Sequence, residues 1–439
     1  VVVLMTSGVS AKAAVTDVQP AKSSSEAVLK WAKKVGEPFD EKTYANNTVS
    51  KIKLVGNYLY VADDAKHRIM KIDKKDGTIL KEQKYCDESY IQGYVSSIGY
   101  GDGKVYVGYD NGRVQAFDEN TLESLWITDE NKNAINSDFV FTNGKLYFGT
   151  TAKTTDWYDN GAPFSYYVVT TSDDDKTKPD EEKTMKKVVE SKTGKFYLKK
   201  GVVLGKYIVI SDTAGTLTMI DTTNDKVTDT KDIGEAFSGN ITYDEMTGTI
   251  YFVAGTNDLY GIKVSADGKL KDEKKVRLYE TGYSSTTPEV YNGKVYVSGS
   301  KGKAFQDKGY MAVADVSSDK YKVNYTVELS NYSQCEPTIV KTGENSVRVY
   351  FTINDEPGGI YAIEDSKDAT SATLETVYEP TGDIKNTGCM SDVVVDEDGT
   401  IYFANDSKYI MSVGKKVEDT KKPVTKTVKS TRSVKLTWK

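Results

Sequence analysis

The sequence predicts an all-β chain folded as an eight-bladed β-propeller, with seven blades as the alternative. Three observations carry that expectation. A short glycine-turn and tyrosine pattern recurs eight times, each copy has the same flanking strand-like segments, and an orphan strand near the N-terminus complements an incomplete last copy.

The pattern is clearest in Gly56-Asn57-Tyr58-Leu59-Tyr60-Val61, Gly103-Lys104-Val105-Tyr106-Val107, Gly144-Lys145-Leu146-Tyr147-Phe148 and Gly293-Lys294-Val295-Tyr296-Val297. Weaker copies surround Ile208, Tyr251, Tyr350 and Tyr402. Aligning Tyr60, Tyr106, Tyr147, Ile208, Tyr251, Tyr296, Tyr350 and Tyr402 gives spacings of 46, 41, 61, 43, 45, 54 and 52 residues, the length of a four-stranded blade. An apolar stretch precedes each copy, as in residues 49–55 and 286–291, and reads as the innermost strand entering a tight turn. An alternating strand follows, for example residues 68–73, 112–118, 216–221 and 359–364. A more polar fourth strand, as in residues 78–85, 122–128 and 321–329, suits an outer sheet edge. The eighth copy stops after three strands near Gly414, whereas residues 27–35 form a strand with no repeat of its own. Pairing the two closes the ring and removes two open edges. No helical pattern of 10 to 15 residues alternates with the strands, which disfavours a parallel α/β fold.

Composition narrows the function. The 439 residues carry a formal net charge of −6, which disfavours a sequence-independent grip on nucleic acid or anionic lipid. Three cysteines and one histidine poorly supply a disulfide framework, a cysteine or histidine zinc site or a histidine triad. The apolar start followed by Ala11-Lys12-Ala13-Ala14 has the A-x-A form of a signal peptidase site and points to export. The expected organisation is a signal-peptide remnant at 1–13, a linker at 14–26, the propeller at 27–417, and a further segment at 418–439.

The repeats resemble the pyrroloquinoline quinone-like β-propeller family. That family's A-x-D-x-x-x-G-x-x-x-W docking signature survives as Ala116, Asp118 and Trp126, with Leu122 in the glycine position. The first repeat keeps Asp73 and Gly77 with Lys81 in the tryptophan position, and Trp31 looks like the equivalent tryptophan of the closing strand. The resemblance implies the fold and says little of function. The Lys, Thr and Pro-rich stretch from Thr420, ending in Ser433-Val434-Lys435-Leu436-Thr437-Trp438-Lys439, looks like a linker into a truncated fibronectin type III-like module, as in surface proteins of Gram-positive bacteria.

Quinone-dependent dehydrogenases of the related fold use an acidic catalytic residue, calcium held by carboxylate and amide oxygens, and adjacent cysteines. This sequence has no adjacent cysteines, so no catalytic residue, metal or cofactor is assigned, and neither calcium nor pyrroloquinoline quinone is supported by the residues. Asp396-Glu397-Asp398-Gly399 falls where other repeats place a hairpin turn. The acidic run from Asp173 to Asp175 reads as a solvated loop and His67 as a surface histidine. Cys335 and Cys389 occupy the same position in consecutive repeats. Two buried free thiols are favoured there, with a disulfide as the alternative.

Connections between blades, and between second and third strands, share one face of a propeller. In this chain they hold Tyr90, Tyr94, Trp157, Tyr158, Tyr283 and Tyr332, with Asp138, Asn240 and Glu336 beside them. Aromatic platforms with converging polar groups suit an extracellular glycan, peptide or protein. The expectation is a secreted or cell-surface binding module and scaffold without catalysis. The alternatives are a quinoprotein-like oxidoreductase, a carbohydrate-active propeller enzyme, and a structural spacer for downstream modules.

Overall fold

The computed structural model describes residues 18–36, 51–63, 66–85, 98–153, 161–172, 181–237, 239–303 and 307–417. They form eight β-sheets, one per predicted repeat, so the eight-bladed reading holds. Among these residues the only helical element is a single 3₁₀ turn at Gly382–Ile384.

The first blade runs Lys53–Val55, Tyr58–Asp63, Arg68–Asp73 and Ile79–Lys84, from the axis outward. The other blades repeat that order. In the eighth, Val394–Val395, Ile401–Ala404 and Tyr409–Lys415 are completed by the N-terminal strand Ala27–Lys34, which pairs antiparallel from Ala27 against Lys415 to Lys34 against Tyr409. Residues just before that strand are also docked. Tyr350 donates its hydroxyl hydrogen to the Ala21 carbonyl at 3.2 Å, and Arg348 donates to that of Lys22 at 2.9 Å.

The long third repeat departs from the plain pattern. Its extra residues include Glu181–Lys183, which leaves its own blade and adds a parallel fifth strand to the outer edge of the second, Glu181 opposite Trp126. That edge is thereby covered by a neighbour.

No single core fills the molecule. Eight apolar clusters lie between adjacent blades, so each blade contributes one sheet face to each neighbour. The recurring tyrosine explains itself here. Its ring is buried, and in several blades its hydroxyl reaches the next blade's turn between third and outermost strands. Tyr60 donates to the Glu119 carbonyl at 2.6 Å, Tyr147 to Asp225 Oδ1 at 2.7 Å, and Tyr402 to the Lys74 carbonyl at 3.2 Å. The fourth repeat has Ile208 at the aligned position. There Tyr207 takes the contact, its ring lying against Gly268 of the fifth blade.

The docking signature is structural in the same way. Trp31 Nε1 donates to the Lys74 carbonyl at 3.0 Å, and its ring lies so close to Gly77 that a Cβ there would sit 2.7 Å from it. Gly77 also has φ +75°, so glycine is required on two counts. At the equivalent place Leu122 accepts φ +59° and is fully buried in the cluster between the first and second blades. Its burial, about 1.5–3 kcal/mol for a leucine, offsets a left-handed backbone cost of roughly 1–2 kcal/mol.

Between the sixth and seventh blades the lock is ionic. Buried Asp365 receives hydrogen bonds from Tyr296 at 2.7 Å, Tyr325 at 2.5 Å and the Lys294 ammonium at 2.9 Å. Asp365→Ala would strand a buried ammonium, at a cost of roughly 3–5 kcal/mol, whereas Tyr296→Phe removes one hydrogen bond and costs about 1 kcal/mol. Thermal denaturation should rank the two variants in that order; an Asp365→Ala midpoint equal to that of Tyr296→Phe would contradict the lock.

Candidate functional site

In an antiparallel blade the innermost strand starts from the interblade connection and the second strand ends at the same side. The interblade connections and the second-to-third turns therefore share one face, as the sequence implied. The innermost strands pair with the tyrosine-bearing strands in a repeated register: Lys53 opposite Tyr60, Val140 opposite Tyr147, Glu289 opposite Tyr296, Thr338 opposite Tyr350 and Val394 opposite Tyr402. Two residues earlier stand Lys51, Asp138, Thr287, Glu336 and Asp392, together with Asn240 of the fifth blade. Lys200 belongs to the same set, because the third residue of the fourth blade's second strand, the place of Tyr60, Tyr147 and Tyr296 in theirs, is Val209, one position past the Ile208 of the sequence alignment, and Val209 pairs with Val202. Side chains two residues apart on a strand share a side, so these groups form one layer at the channel mouth on the interblade face.

The backbone fixes this layer before the charges do. Ser137 accepts from the Gly149 amide at 2.8 Å and donates to the Asp138 carbonyl at 3.0 Å. Ser391 repeats the arrangement with the Ala404 amide and the Asp392 carbonyl. The Lys200 amide donates to Asn240 Oδ1 at 2.8 Å, and the Glu336 amide donates to Asp392 Oδ1 at 2.8 Å. Buried Lys199 ties the fourth blade to the fifth through the carbonyls of Phe237 at 3.0 Å and Gly239 at 2.6 Å. Burial there pushes its ammonium down to about 7.

Ion pairs then bridge the mouth. Lys200 of the fourth blade meets Glu336 of the seventh at 3.2 Å, three steps around an eight-membered ring. Lys51 lies 3.2 Å from Asp392 and 4.0 Å from Asp138. The Lys51 side chain is 41% exposed but ringed by protein, and the Asp392 carboxylate raises its affinity for its proton against the cost of partial desolvation. Glu336 holds Lys200 protonated in the same way. Burial alone would raise Glu336, but Lys200, a hydrogen bond with Glu289, and Lys51 override it and hold it down to about 2. Glu289, 1% exposed, is pushed well above the usual carboxyl range by burial and by the negative charge of Glu336. The two carboxyls are therefore driven in opposite directions, Glu289 towards holding its proton and Glu336 towards releasing it.

Asp138, Asn240 and Glu336 were among the residues expected at the site, and the structure brings them together. Tyr283 is half-buried, its backbone bridged to Ser300 and its ring edge-on to Tyr332. Tyr332 is a packing residue and no open platform: it is fully buried and its hydroxyl accepts from the Ser285 amide at 2.7 Å. Tyr90, Tyr94, Trp157 and Tyr158 lie outside the described residues. Lys51, Lys53, Lys200, Glu289 and Asp392 were not anticipated. Reading down one register position of every innermost strand would have found them.

Cys335 and Cys389 are free, buried thiols, so the disulfide alternative is not taken up. Cys335 Sγ accepts from the Thr352 amide at 3.2 Å, while Cys389 Sγ points to the Ala404 carbonyl at 3.6 Å. Burial pushes both thiols up. The Asp396–Gly399 stretch is a hairpin turn, with Asp396 paired to Lys74 at 2.7 Å. His67 is half-buried, with its ring edge against Tyr85.

Fold and site together define a ring-closed β-propeller with a polar channel mouth braced by its own charges. The chain is similar in structure to BamB from Moraxella catarrhalis, with a TM-score of 0.59 at 12% identity over 88% of this chain and 99% of that one. It is also similar to the quinohemoprotein alcohol dehydrogenase of Comamonas testosteroni, with a TM-score of 0.61 at 10% identity over 91% and 78%. The computationally designed Ika8 protein shares the fold with a TM-score of 0.54 at 10% identity over 84% and 96%. No protein-family model matches the chain. No curated protein matches it either. At such identities the likenesses concern the fold alone.

A quinone with its calcium would need carboxylate and amide oxygens free to converge on a cation. The described channel residues do not fit that need. Asp138 and Asp392 converge on Lys51, Glu336 on Lys200, and no group of three or more acidic, histidine or cysteine residues among the described residues is arranged for a metal.

The opposite shifts of Glu289 and Glu336 set a pH dependence. Between its ordinary value of 4.5 and its raised folded value, Glu289 is protonated in the native state and ionised in the unfolded chain, so its contribution falls as pH rises. Glu336 acts oppositely, its contribution being full above 4.5 and lost as pH falls towards 2. Glu289→Gln keeps the donor without the titration. Urea denaturation from pH 5 to 8 should show a flatter loss of stability in this variant, and an unchanged slope would refute the assignment.

Proposed function

We propose that this chain is an exported, non-catalytic binding module that engages a glycan, peptide or protein through the interblade face around the channel mouth. The observation that carries the proposal is the pairing of the mouth's carboxylates, Asp138, Glu336 and Asp392, each held by a lysine of the chain itself. Groups so neutralised are poorly placed to act as a free base or a metal cradle, yet they present a dense pattern of donors and acceptors for surface recognition. Export is supported by the A-x-A pattern at Ala11 to Ala13. Among the described residues no helix is long and apolar enough to cross a membrane. A quinoprotein-like oxidoreductase is the second reading, favoured by the fold shared with quinohemoprotein alcohol dehydrogenases.

The test is a screen of the purified protein against glycans, cell-wall fragments and peptides, with quinone and a dye acceptor in parallel wells. Saturable binding is expected. Trp157→Ala with Tyr158→Ala should weaken it, whereas Met246→Ala, an 81% exposed side chain in a turn on the opposite face, should not. Quinone-dependent dye reduction would replace this reading with the oxidoreductase, and binding abolished only by Met246→Ala would move the site to the other face.

A further inference from the structure

Lys199 departs from a rule that its register position obeys elsewhere. The residue just before the mouth layer is Ser137 in the third blade, Thr286 in the sixth, Cys335 in the seventh and Ser391 in the eighth. All four are small, and each turns its hydroxyl or thiol to the second strand of its own blade. Ser137 accepts from the Gly149 amide, Cys335 from that of Thr352 and Ser391 from that of Ala404 at 3.1 Å, while Thr286 donates to the Ser298 carbonyl at 2.9 Å. The fourth blade has a lysine there instead, and the fifth blade meets it with glycine. A Cβ at Gly239 would sit 2.4 Å from the Thr286 carbonyl oxygen, so the chain passes too close to the sixth blade for any side chain. Lys199, 3% exposed, reaches across the seam to this connection, to the carbonyls of Phe237 at 3.0 Å and Gly239 at 2.6 Å.

Two acceptors meet the Lys199 nitrogen, and no acid does. Among the described residues only the charge of Asp212 acts on it, and that carboxylate is taken up by Ser191 at 2.7 Å and by the amides of Ala214, Gly215 and Thr216 at 3.0 Å. The other charged groups on the elements packed around it face elsewhere: Asp138 and Lys200 turn to Lys51 and Glu336 in the mouth, Lys195 to the Phe164 ring, and Glu235 to Lys275. A neutral amine has two hydrogens for the two carbonyls and satisfies both. An ammonium brings a third N–H and a full charge, with neither an acceptor nor a counter-ion for them.

We propose that Lys199 is a proton-sensitive latch between the fourth and fifth blades, which holds the seam at the mouth as a neutral amine and loosens it on taking up a proton. The latch reaches the mouth through the backbone. The Lys199 carbonyl accepts from the Asp138 amide at 3.0 Å, and the next amide, that of Lys200, donates to Asn240 Oδ1, so an opened seam frees residues of three blades together. Burial, with Asp212 opposing it, lowers the ammonium from an ordinary 10.5 to about 7. Opening returns the side chain to water and to its ordinary value, so the open form binds more protons between 7 and 10.5. Falling pH therefore favours opening across that interval. Below 7 both forms are protonated, and this group has no further effect. The latch is independent of what the mouth binds.

Hydrogen–deuterium exchange of the full chain, read by mass spectrometry as protection factors corrected for the intrinsic pH dependence, tests the latch. From pH 9 to pH 7 the protection of residues 196–201 and 236–242 should fall by up to about tenfold per pH unit, the limit for one proton, and level off between pH 7 and pH 6. Residues 333–338, where Cys335 holds the equivalent position, should not share that profile. Lys199→Gln keeps a donor with two hydrogens that takes up no proton, and its fourth–fifth seam should be flat over the same range. If that variant folds poorly, the wild-type contrast between the two segments decides alone. A flat wild-type profile, a profile shared with residues 333–338, or one that persists in a folded Lys199→Gln would overturn the latch.

Discussion

A ring of blades has no core on its axis, and everything at the centre of this molecule follows from that constraint. Eight innermost strands run side by side around the channel, so one register position in each repeat is brought to one place in space. Residues separated by tens of positions in sequence, such as Lys200 and Glu336, become neighbours because they hold the same rank in their repeats. The ring must also close. The pairing of Ala27–Lys34 with Tyr409–Lys415 joins the two ends of the described propeller, and without it two sheet edges and the apolar seam around Trp31 and Tyr402 would face water.

Holding the ring together is a task for the seams. Each seam combines an apolar cluster with a directed polar contact, and the polar contact differs from seam to seam: a carbonyl for Tyr60, a carboxylate for Tyr147, a buried ion pair for Tyr296. Apolar area supplies most of the adhesion, and the polar contacts choose the register of blade on blade, because a misplaced blade would leave a buried hydroxyl or charge without its partner. The mouth extends the same logic across the axis. Its charges are satisfied by one another.

The fold was legible because its signals are periodic. The glycine turn, the tyrosine two or three residues into the next strand and the orphan strand each recur or complement at propeller spacing, and the structure places a blade on every copy, including the weak ones around Ile208 and Tyr350. The site was legible only in part. Asp138, Asn240 and Glu336 stood out as polar residues in interblade connections. Lys51, Lys200, Glu289 and Asp392 did not, because turn lengths differ among repeats and shift the count from tyrosine to channel position: seven residues separate Lys53 from Tyr60, but twelve separate Thr338 from Tyr350. Tyr332 misled for a related reason. An aromatic in a connection can turn inward, and this one closes the seam between the sixth and seventh blades through Ser285.

The channel mouth is a cross-braced unit, with an ion pair spanning from the fourth blade to the seventh. A double-mutant cycle on Lys200→Met and Glu336→Gln measures that contact without reference to any ligand. A coupling energy of about 1 kcal/mol or more is expected, within the range for residues in one polar network. Additive effects, with no coupling between two residues 136 positions apart in sequence, would contradict it.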